Sequence, residues 1–236
     1  LGKMKKAMQQ SIAISGGSRG IGRAVAEKFA ANGFTVAIAA RNSEELAQLQ
    51  AYWRLHFPQS RLLVWAADLS TEAGVATFAE GIGEALGSPG LLLHNVGSFA
   101  VGGIEEAGDP LAALLALNVL AADRLTRRLL PGMLQAGSGH IMTIGSVAVL
   151  DMPAGVENYT ISKYALQAWH HCLERQLSGT PIRTTLLQPG ATYTSSWEGE
   201  EVDAAQLLSP RQLAEAVWQA WQAGGSLREL ILRPTL

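Results

Sequence analysis

Tyr159 and Lys163 stand four residues apart in the stretch GVENYTISKYAL (155–166). On a helix, positions i and i+4 lie one above the other on the same face. An ammonium group held there favours the phenolate form of a neighbouring phenol, so the pair is suited to exchanging a proton with a substrate oxygen. By itself the pair says little. With four tyrosines in the chain, such a spacing arises by chance in roughly one protein in four. Its meaning depends on its companions.

The next candidate lies near the start of the chain. The apolar run SIAIS (11–15) leads into Ser15-Gly16-Gly17-Ser18-Arg19-Gly20-Ile21-Gly22, and a helical pattern follows at once. Glycines permit a tight turn and let the backbone approach a pyrophosphate, whose charge a helix N-terminus favours. The spacing is G-x-x-x-G-x-G, not the G-x-G-x-x-G of the standard dinucleotide fingerprint.

These residues need a scaffold, and the pattern of the chain supplies one. Short apolar runs recur at 11–15, 34–40, 61–67, 91–96, 140–146, 182–188 and 227–233. Helical spacing fills 20–32, 43–56, 71–86, 110–136, 153–179 and 209–223. Strands apolar on both faces and separated by such helices predict a parallel sheet covered on both sides. Ser43, Thr71 and Ser209 read as helix-start caps, and Gly33 and Gly224 as C-terminal caps. No repeat, low-complexity tract or linker interrupts the 236 residues, which predicts one domain over 1–236. Ligands in such sheets sit beyond the carboxyl ends of the strands. Those ends carry SGGSRGIG, AARN, ADLS, HNVG, IGSVAV and QPGATYT.

Composition excludes other classes. The chain is 48% hydrophobic and 16% charged, which supports a large core. A net charge of −2 offers no footprint for nucleic acid or an anionic membrane. No apolar run is long enough to span a bilayer, and LGKMKK does not read as a signal peptide. Residues 1–3 read as a remnant ahead of a start at Met4. The single Cys172 fits a reducing cytoplasm. His56, His140, His170 and His171 form no ligand spacing, so no metal site is expected.

In combination, the motifs resemble the short-chain dehydrogenase/reductase family over about residues 8–233. The family's T-G-x-x-x-G-x-G appears as Ser15 to Gly22, and its N-N-A-G as His94-Asn95-Val96-Gly97. Its helix asparagine falls on Asn118, and its Ser-Tyr-Lys set on Ser146, Tyr159 and Lys163. Its P-G motif falls on Pro189-Gly190, with Thr192 and Thr194 after it. The resemblance implies a single-domain α/β Rossmann fold, a doubly wound parallel sheet of seven strands with helices on both faces. It also implies a carbonyl or alcohol substrate and a nicotinamide cofactor, held by Gly16, Ser18, Gly20, Ile21, Gly22, Asn95, Gly97, Pro189, Gly190, Thr192, Thr194, Tyr159 and Lys163. Asp68 and Leu69 would contact the adenine.

Two arginines bear on the choice of cofactor. Enzymes selective for NAD usually place a carboxylate near the end of the second strand, against the ribose 2′-hydroxyl. Here Ala40 and Arg41 hold that place, and Arg19 lies in the glycine loop. Two guanidinium groups suit a 2′-phosphate, so NADP(H) is expected. Tyr159 would be the acid in reduction and the base in oxidation. Ser146 would stabilise charge on the carbonyl oxygen. By the resemblance, Lys163 would bond the nicotinamide ribose, and Asn118 would help hold a proton-relaying water. His94 is expected to pack at a strand end.

Substrate identity is less legible. Phe99, Val147, Met152, Tyr193 and Trp197 are expected to line an apolar pocket. The acidic segment from Ser195 to Ser209, with Glu198, Glu200, Glu201 and Asp203, reads as a lid that disfavours acidic carriers and polyphosphates. The closing ELILRPTL resembles shorter reductases of small hydroxy acids and alcohols. A non-catalytic NADP-binding sensor on the same fold is the alternative, and retention of Ser146, Tyr159 and Lys163 favours the enzyme. On the catalytic helix, Tyr159, Lys163, Leu166, His170, Leu173 and Leu177 share the inward face. The opposite stripe, Ile161, Ala165, Ala168 and Cys172 beside Trp169, is apolar and predicts a homodimer or homotetramer.

Overall fold

Seven strands and eight helices alternate in the computed structural model, which describes residues 10–194, 203 and 206–235. The strands are β1 (Ser11–Ser15), β2 (Thr35–Ala40), β3 (Leu62–Ala66), β4 (Leu91–His94), β5 (Gly139–Ile144), β6 (Ile182–Pro189) and β7 (Glu229–Leu232). The helices are α1 (Gly20–Ala30), α2 (Ser43–His56), α3 (Glu72–Leu86), α4 (Pro110–Leu115), α5 (Ala121–Ala136), α6 (Ala148–Asp151), α7 (Glu157–Gln176) and α8 (Pro210–Gln222). The strands form one sheet in the order β3-β2-β1-β4-β5-β6-β7, with every pair parallel. This is the doubly wound α/β arrangement expected from the alternating runs.

Successive strand residues point to opposite faces, and that alternation sorts the core into two layers. Ile12, Ile14, Val36, Ile38, Leu91 and Leu93 face Val25 and Phe29 of α1, Leu49 and Trp53 of α2, and Val217 of α8. Ala13, Ala37, Leu92 and Ile141 face Phe78 and Ile82 of α3, Leu125 and Met133 of α5, and Leu173 of α7. Each large apolar side chain buried this way contributes about 1.5–3 kcal/mol of transfer free energy. Phe29, Phe34 and Trp218 add edge-to-face contacts that lock α8 onto α1, with ring centroids 5.0–5.9 Å apart.

β1 pairs with β2 on one side and β4 on the other. The winding therefore reverses between β1 and β4, and the crevice it leaves opens at Ser15 and His94. The glycine loop after β1, Arg41 after β2, Asp68 after β3, Asn95 after β4, Ser146 after β5 and Gly190 after β6 lie at this end of the sheet, and Tyr159 and Lys163 lie on α7.

Several local expectations are corrected. Asn42, not Ser43, caps α2, its side-chain oxygen accepting from the N–H groups of Glu44 and Glu45. Thr71 and Ser209 cap their helices as expected, Ser209 reciprocally with Gln212. Gly33 takes a left-handed φ of 78°, whereas Gly224 does not, because the chain leaves α8 through an extended Ala223. The run 110–136 is helical, but 116–120 widens into a π turn around Asn118. The run 153–179 holds a shorter helix, α7, because Gly155 adopts a φ of 80° ahead of it.

Candidate active site

The glycine loop is shaped by contacts that exclude side chains. A Cβ on Gly22 would lie 2.1 Å from the Gly16 carbonyl oxygen, and one on Gly17 would lie 2.8 Å from Ile38. Gly16 and Gly20 take positive φ values of 74° and 57°, conformations that cost a side-chain-bearing residue about 1 kcal/mol. Ser15, fully buried, stitches the loop to the end of β4. Its hydroxyl donates to the Leu93 carbonyl and accepts from the N–H groups of Asn95 (3.0 Å) and Val96 (3.1 Å). Asn95 returns the bond, its Nδ2 donating to the carbonyls of Ser15 and Gly16. Ile21 packs inward on the α1 side of the core.

Arg19 caps α1 in an extended backbone and is exposed, as is Arg41 just after β2. Neither forms an ion pair among the described residues, whereas Arg23, Arg124, Arg127, Arg128, Arg228 and Arg233 all do. Two unpaired guanidinium groups beside the loop are available to an anion. Asp68, after β3, is held below the usual carboxylate range by the Ser70 backbone N–H, then by the Ser70 hydroxyl and the nearby Arg41 charge. Leu69 beside it is buried. Ser18 donates its hydroxyl to Glu45 Oε2 at 2.8 Å, a carboxylate contact the sequence did not disclose.

On α7, Lys163 is buried and its ammonium donates to the Ile144 carbonyl at 3.2 Å, at the end of β5. The same nitrogen lies 5.7 Å from the centroid of the Tyr159 ring, so the i, i+4 pair converges as expected. One ammonium N–H is used by Ile144, leaving two for a ligand. Ser146 follows β5 after Gly145. Its Oγ accepts from the Ala148 N–H at 3.1 Å, which leaves the hydroxyl proton free to donate. Phe99 meets the Tyr159 ring edge-on at 5.0 Å and bounds the same mouth.

Asn118 is buried in the π turn, and both N–H groups of its side-chain amide are used. Oδ1 accepts from the Ser98 N–H at 2.8 Å, while Nδ2 donates to the Ser98 carbonyl and the Ser162 hydroxyl. Ser162 in turn donates to the Tyr159 carbonyl at 2.7 Å. Asn118 thus pins the chain after β4 to α7. Gly97 lies between them, since a Cβ there would fall 3.0 Å from Asn118 Oδ1 and 3.6 Å from Lys163 Nζ. Ser162 was not singled out from sequence, and nothing local marks it.

Beyond β6, Pro189 ends the strand and Gly190 donates to Leu232 at 2.7 Å. Thr192 bridges Leu208, and Thr194 lies over Gly20, 3.4 Å from where a Cβ would sit. This segment therefore reaches the glycine loop across the crevice. Val147 is half-buried at the start of α6. Met152, at its end, is 64% exposed and is the non-glycine residue with positive φ among those described (45°). Tyr193 is also exposed. Trp197, Glu198, Glu200 and Glu201 lie outside the described residues.

The buried histidines serve the scaffold. His94 Nε2 meets Thr126 at 2.7 Å and its ring stands edge-on to Trp169. Burial drives its pKa down to about 3, with the nearby His170 adding to the shift. Trp169 donates to Asp123 at 3.1 Å, so it belongs to this chain's own α5–α7 packing and not to the outer apolar stripe. Among the described residues no group of three His, Cys, Asp or Glu is arranged to hold a metal, and no helix is long and apolar enough to cross a membrane.

The family model for short chain dehydrogenases matches residues 10–204. An uncharacterized oxidoreductase of Staphylococcus saprophyticus is 28% identical over 232 residues, covering 96% of this chain and 98% of that protein. Among solved structures, the L-sorbose reductase of Gluconobacter frateurii, complexed with NADPH and L-sorbose, superposes with a TM-score of 0.88 at 26% identity over 99% of this chain and 100% of its own. A short chain dehydrogenase from Burkholderia cenocepacia in complex with NADP gives 0.85 at 27% identity, with 96% and 98% covered.

Proposed function

The chain belongs to the short chain dehydrogenase family of oxidoreductases, and from that premise we propose that it is an NADPH-dependent reductase of a small ketone or aldehyde, or the dehydrogenase of the corresponding alcohol. The observation that carries this reading is the buried Lys163 ammonium, bonded to the Ile144 carbonyl two residues before Ser146 and 5.7 Å from the centroid of the Tyr159 ring, together with a Ser146 hydroxyl whose proton is unused. A retired binding protein has no physical need for that convergence.

NADP(H) fits the residues present. Gly17 and Gly22 of the loop have no room for a Cβ, and Arg19, within the loop, and Arg41, after β2, are exposed and unpaired among the described residues. The loop N–H groups would hold the pyrophosphate, the arginines the 2′-phosphate, and Asp68 with Leu69 the adenine. Asn95, Gly97, Pro189, Gly190, Thr192 and Thr194 would line the rest of its path. When bound, the cofactor supplies or accepts the hydride at carbon.

The chain's own residues handle the oxygen. Ser146 donates its free O–H to the carbonyl oxygen and stabilises the charge that develops there. Tyr159 delivers the proton in reduction and removes it in oxidation. Lys163 keeps two N–H groups for the ribose hydroxyls and for recharging Tyr159. Asn118 holds the loop at Ser98 against α7 and would anchor a water leading to Lys163. Phe99, Val147, Met152, Tyr193 and Trp197 would present an apolar wall to the substrate. The exposed stripe of Ile161, Ala168 and Cys172 on α7 supports assembly as a homodimer or homotetramer.

The test is NADPH oxidation with L-sorbose, 2-butanone, acetophenone and benzaldehyde, in the unmodified chain and in Tyr159→Phe. The expected outcome is turnover that Tyr159→Phe abolishes while NADPH still binds, seen by its fluorescence. Unimpaired turnover by Tyr159→Phe, or none by the unmodified chain on any of the four, refutes the reading.

A further inference from the structure

Gln188 is fully buried in β6, where Leu186 and Leu187 precede it, yet it carries a primary amide. An amide survives such burial when both its ends are bonded. The Oε1 of Gln188 accepts from the Ser146 backbone N–H at 2.8 Å, and its Nε2 donates to Glu229 Oε1 on β7 at 3.2 Å. The chemistry of the partners fixes this orientation. A backbone N–H only donates and a carboxylate only accepts, so the reversed amide would lose both bonds.

The turn around Ser146 is built to admit this contact. Gly145 donates to the Leu187 carbonyl at 2.7 Å and Val147 to the Pro189 carbonyl at 3.0 Å. Between them the Ser146 N–H turns to the side chain of Gln188. A Cβ on Gly145 would lie 2.2 Å from Gln188 Oε1, so the amide can reach Ser146 only past a glycine. The Ser146 residue is thereby held twice, by Gln188 at its N–H and by the Ala148 N–H at its Oγ. Those two bonds hold the Ser146 backbone and Oγ in place and leave the hydroxyl proton for an acceptor.

We propose that Gln188 is a positioning residue for the Ser146 hydroxyl, acting through the Ser146 backbone and oriented by Glu229, an inference that rests on Ser146 acting on the substrate as described above. The chain of bonds ties the catalytic turn after β5 to the edge strand β7, through the side chain of the strand between them. Displacing a reacting group by about 1 Å can cost on the order of 10²-fold in rate.

The experiment uses the full chain and whichever of the four carbonyl compounds turns over fastest. Ser146→Ala, Gln188→Leu, Gln188→Glu, Glu229→Gln and the double variant Gln188→Glu/Glu229→Gln are compared for kcat, KM, NADPH affinity and urea midpoint. Gln188→Leu is expected to lower kcat on the order of 10²-fold, with NADPH affinity unchanged. In Gln188→Glu the introduced carboxyl faces Glu229 in a buried place, and both effects raise its pKa. Below that pKa its proton bridges to Glu229 and kcat stays close to the parent's. As pH rises through it, the two carboxylates repel and kcat falls. The double variant restores the complementary pair, an amide at 229 donating to a carboxylate at 188, and its kcat is expected to lose that pH dependence.

Parental kcat in Gln188→Leu overturns the proposal, as does a parental pH profile in Gln188→Glu or a double variant that keeps the single variant's profile. If Gln188→Leu fails to fold, the profiles of the two Gln188→Glu forms still decide. Parental kcat in Ser146→Ala instead removes the role of Ser146 itself, which separates failure of the premise from failure of the clamp.

Discussion

Lowering the pH from 7.5 to 5 should destabilise this protein well before its carboxylates protonate. His94, His140 and His170 are buried, each bonded through one ring nitrogen to a threonine: Thr126, Thr185 and Thr143 respectively. The Thr185 hydroxyl gives its proton to the Leu227 carbonyl at 2.5 Å, so His140 must donate from Nε2. The remaining nitrogens, Nδ1 of His94 and His140 and Nε2 of His170, have no partner. Protonation would create a buried cation with nothing to accept its new N–H. Burial is accordingly the largest cause of all three depressed pKa values, about 3 for His94, about 4 for His170 and well below 6.5 for His140. Arg183 adds to it at His140, and repulsion from a neighbouring imidazole, should that ring also be protonated, adds to it at His94 (from His170) and at His170 (from His171).

The sign follows from proton counting. Unfolded imidazoles titrate near 6.5, so below that pH the unfolded chain binds protons the folded one refuses, and stability falls as pH falls. At pH 5, His94 and His170 each cost roughly 2 kcal/mol relative to pH 7.5, and His140 acts in the same direction. A typical domain has only about 5–15 kcal/mol in total. Asp68, Asp151, Glu174 and Glu215 have pKa values lowered from 3.8 or 4.5, so their contributions are lost only at still lower pH. Urea unfolding at pH 7.5, 6 and 5 reads the effect, and His170→Gln should flatten the slope by up to one proton. Equal stability at pH 7.5 and 5, or a parental slope in His170→Gln, would show that these rings are not buried as neutral groups.

Arg41→Asp should reverse or erase a preference for NADPH over NADH that exceeds tenfold, or about 1.4 kcal/mol; equal kcat/KM with both cofactors in the unmodified chain counts against the 2′-phosphate site. Gly22→Ala places a methyl 2.1 Å from the Gly16 carbonyl, so the loop must shift at a cost of about 1–3 kcal/mol. A drop in thermal midpoint with loss of NADPH binding is expected, and parental binding refutes it. Ala168→Arg, on the exposed stripe of α7, should break the proposed oligomer, with light scattering as the readout; an unchanged oligomer removes this helix from the interface, and a monomeric parent removes the interface itself.

The features legible in the sequence are those with local causes. The alternation of apolar runs and helical spacing marked seven strands and located their ends within a few residues, because period 2 and period 3.6 are properties of short segments. The i, i+4 spacing put Tyr159 over Lys163, and the glycines marked the loop, since both depend on a few consecutive residues. Asn42 displaced Ser43 as the cap because two adjacent capping residues compete, and only the path of the chain out of β2 settles which one turns its oxygen to the helix. Only the tertiary structure could decide which strands are neighbours. That order carries the end of β5 to Lys163, Thr194 to Gly20, and Gln188 between Ser146 and Glu229, residues 42 and 41 positions away along the chain. It also turned Trp169 inward to Asp123, and spent the Asn118 side chain on Ser98 and Ser162 through a π turn that no spacing rule announced. A buried polar side chain is specified by partners from distant segments, and a single segment read alone contains only half of each bond.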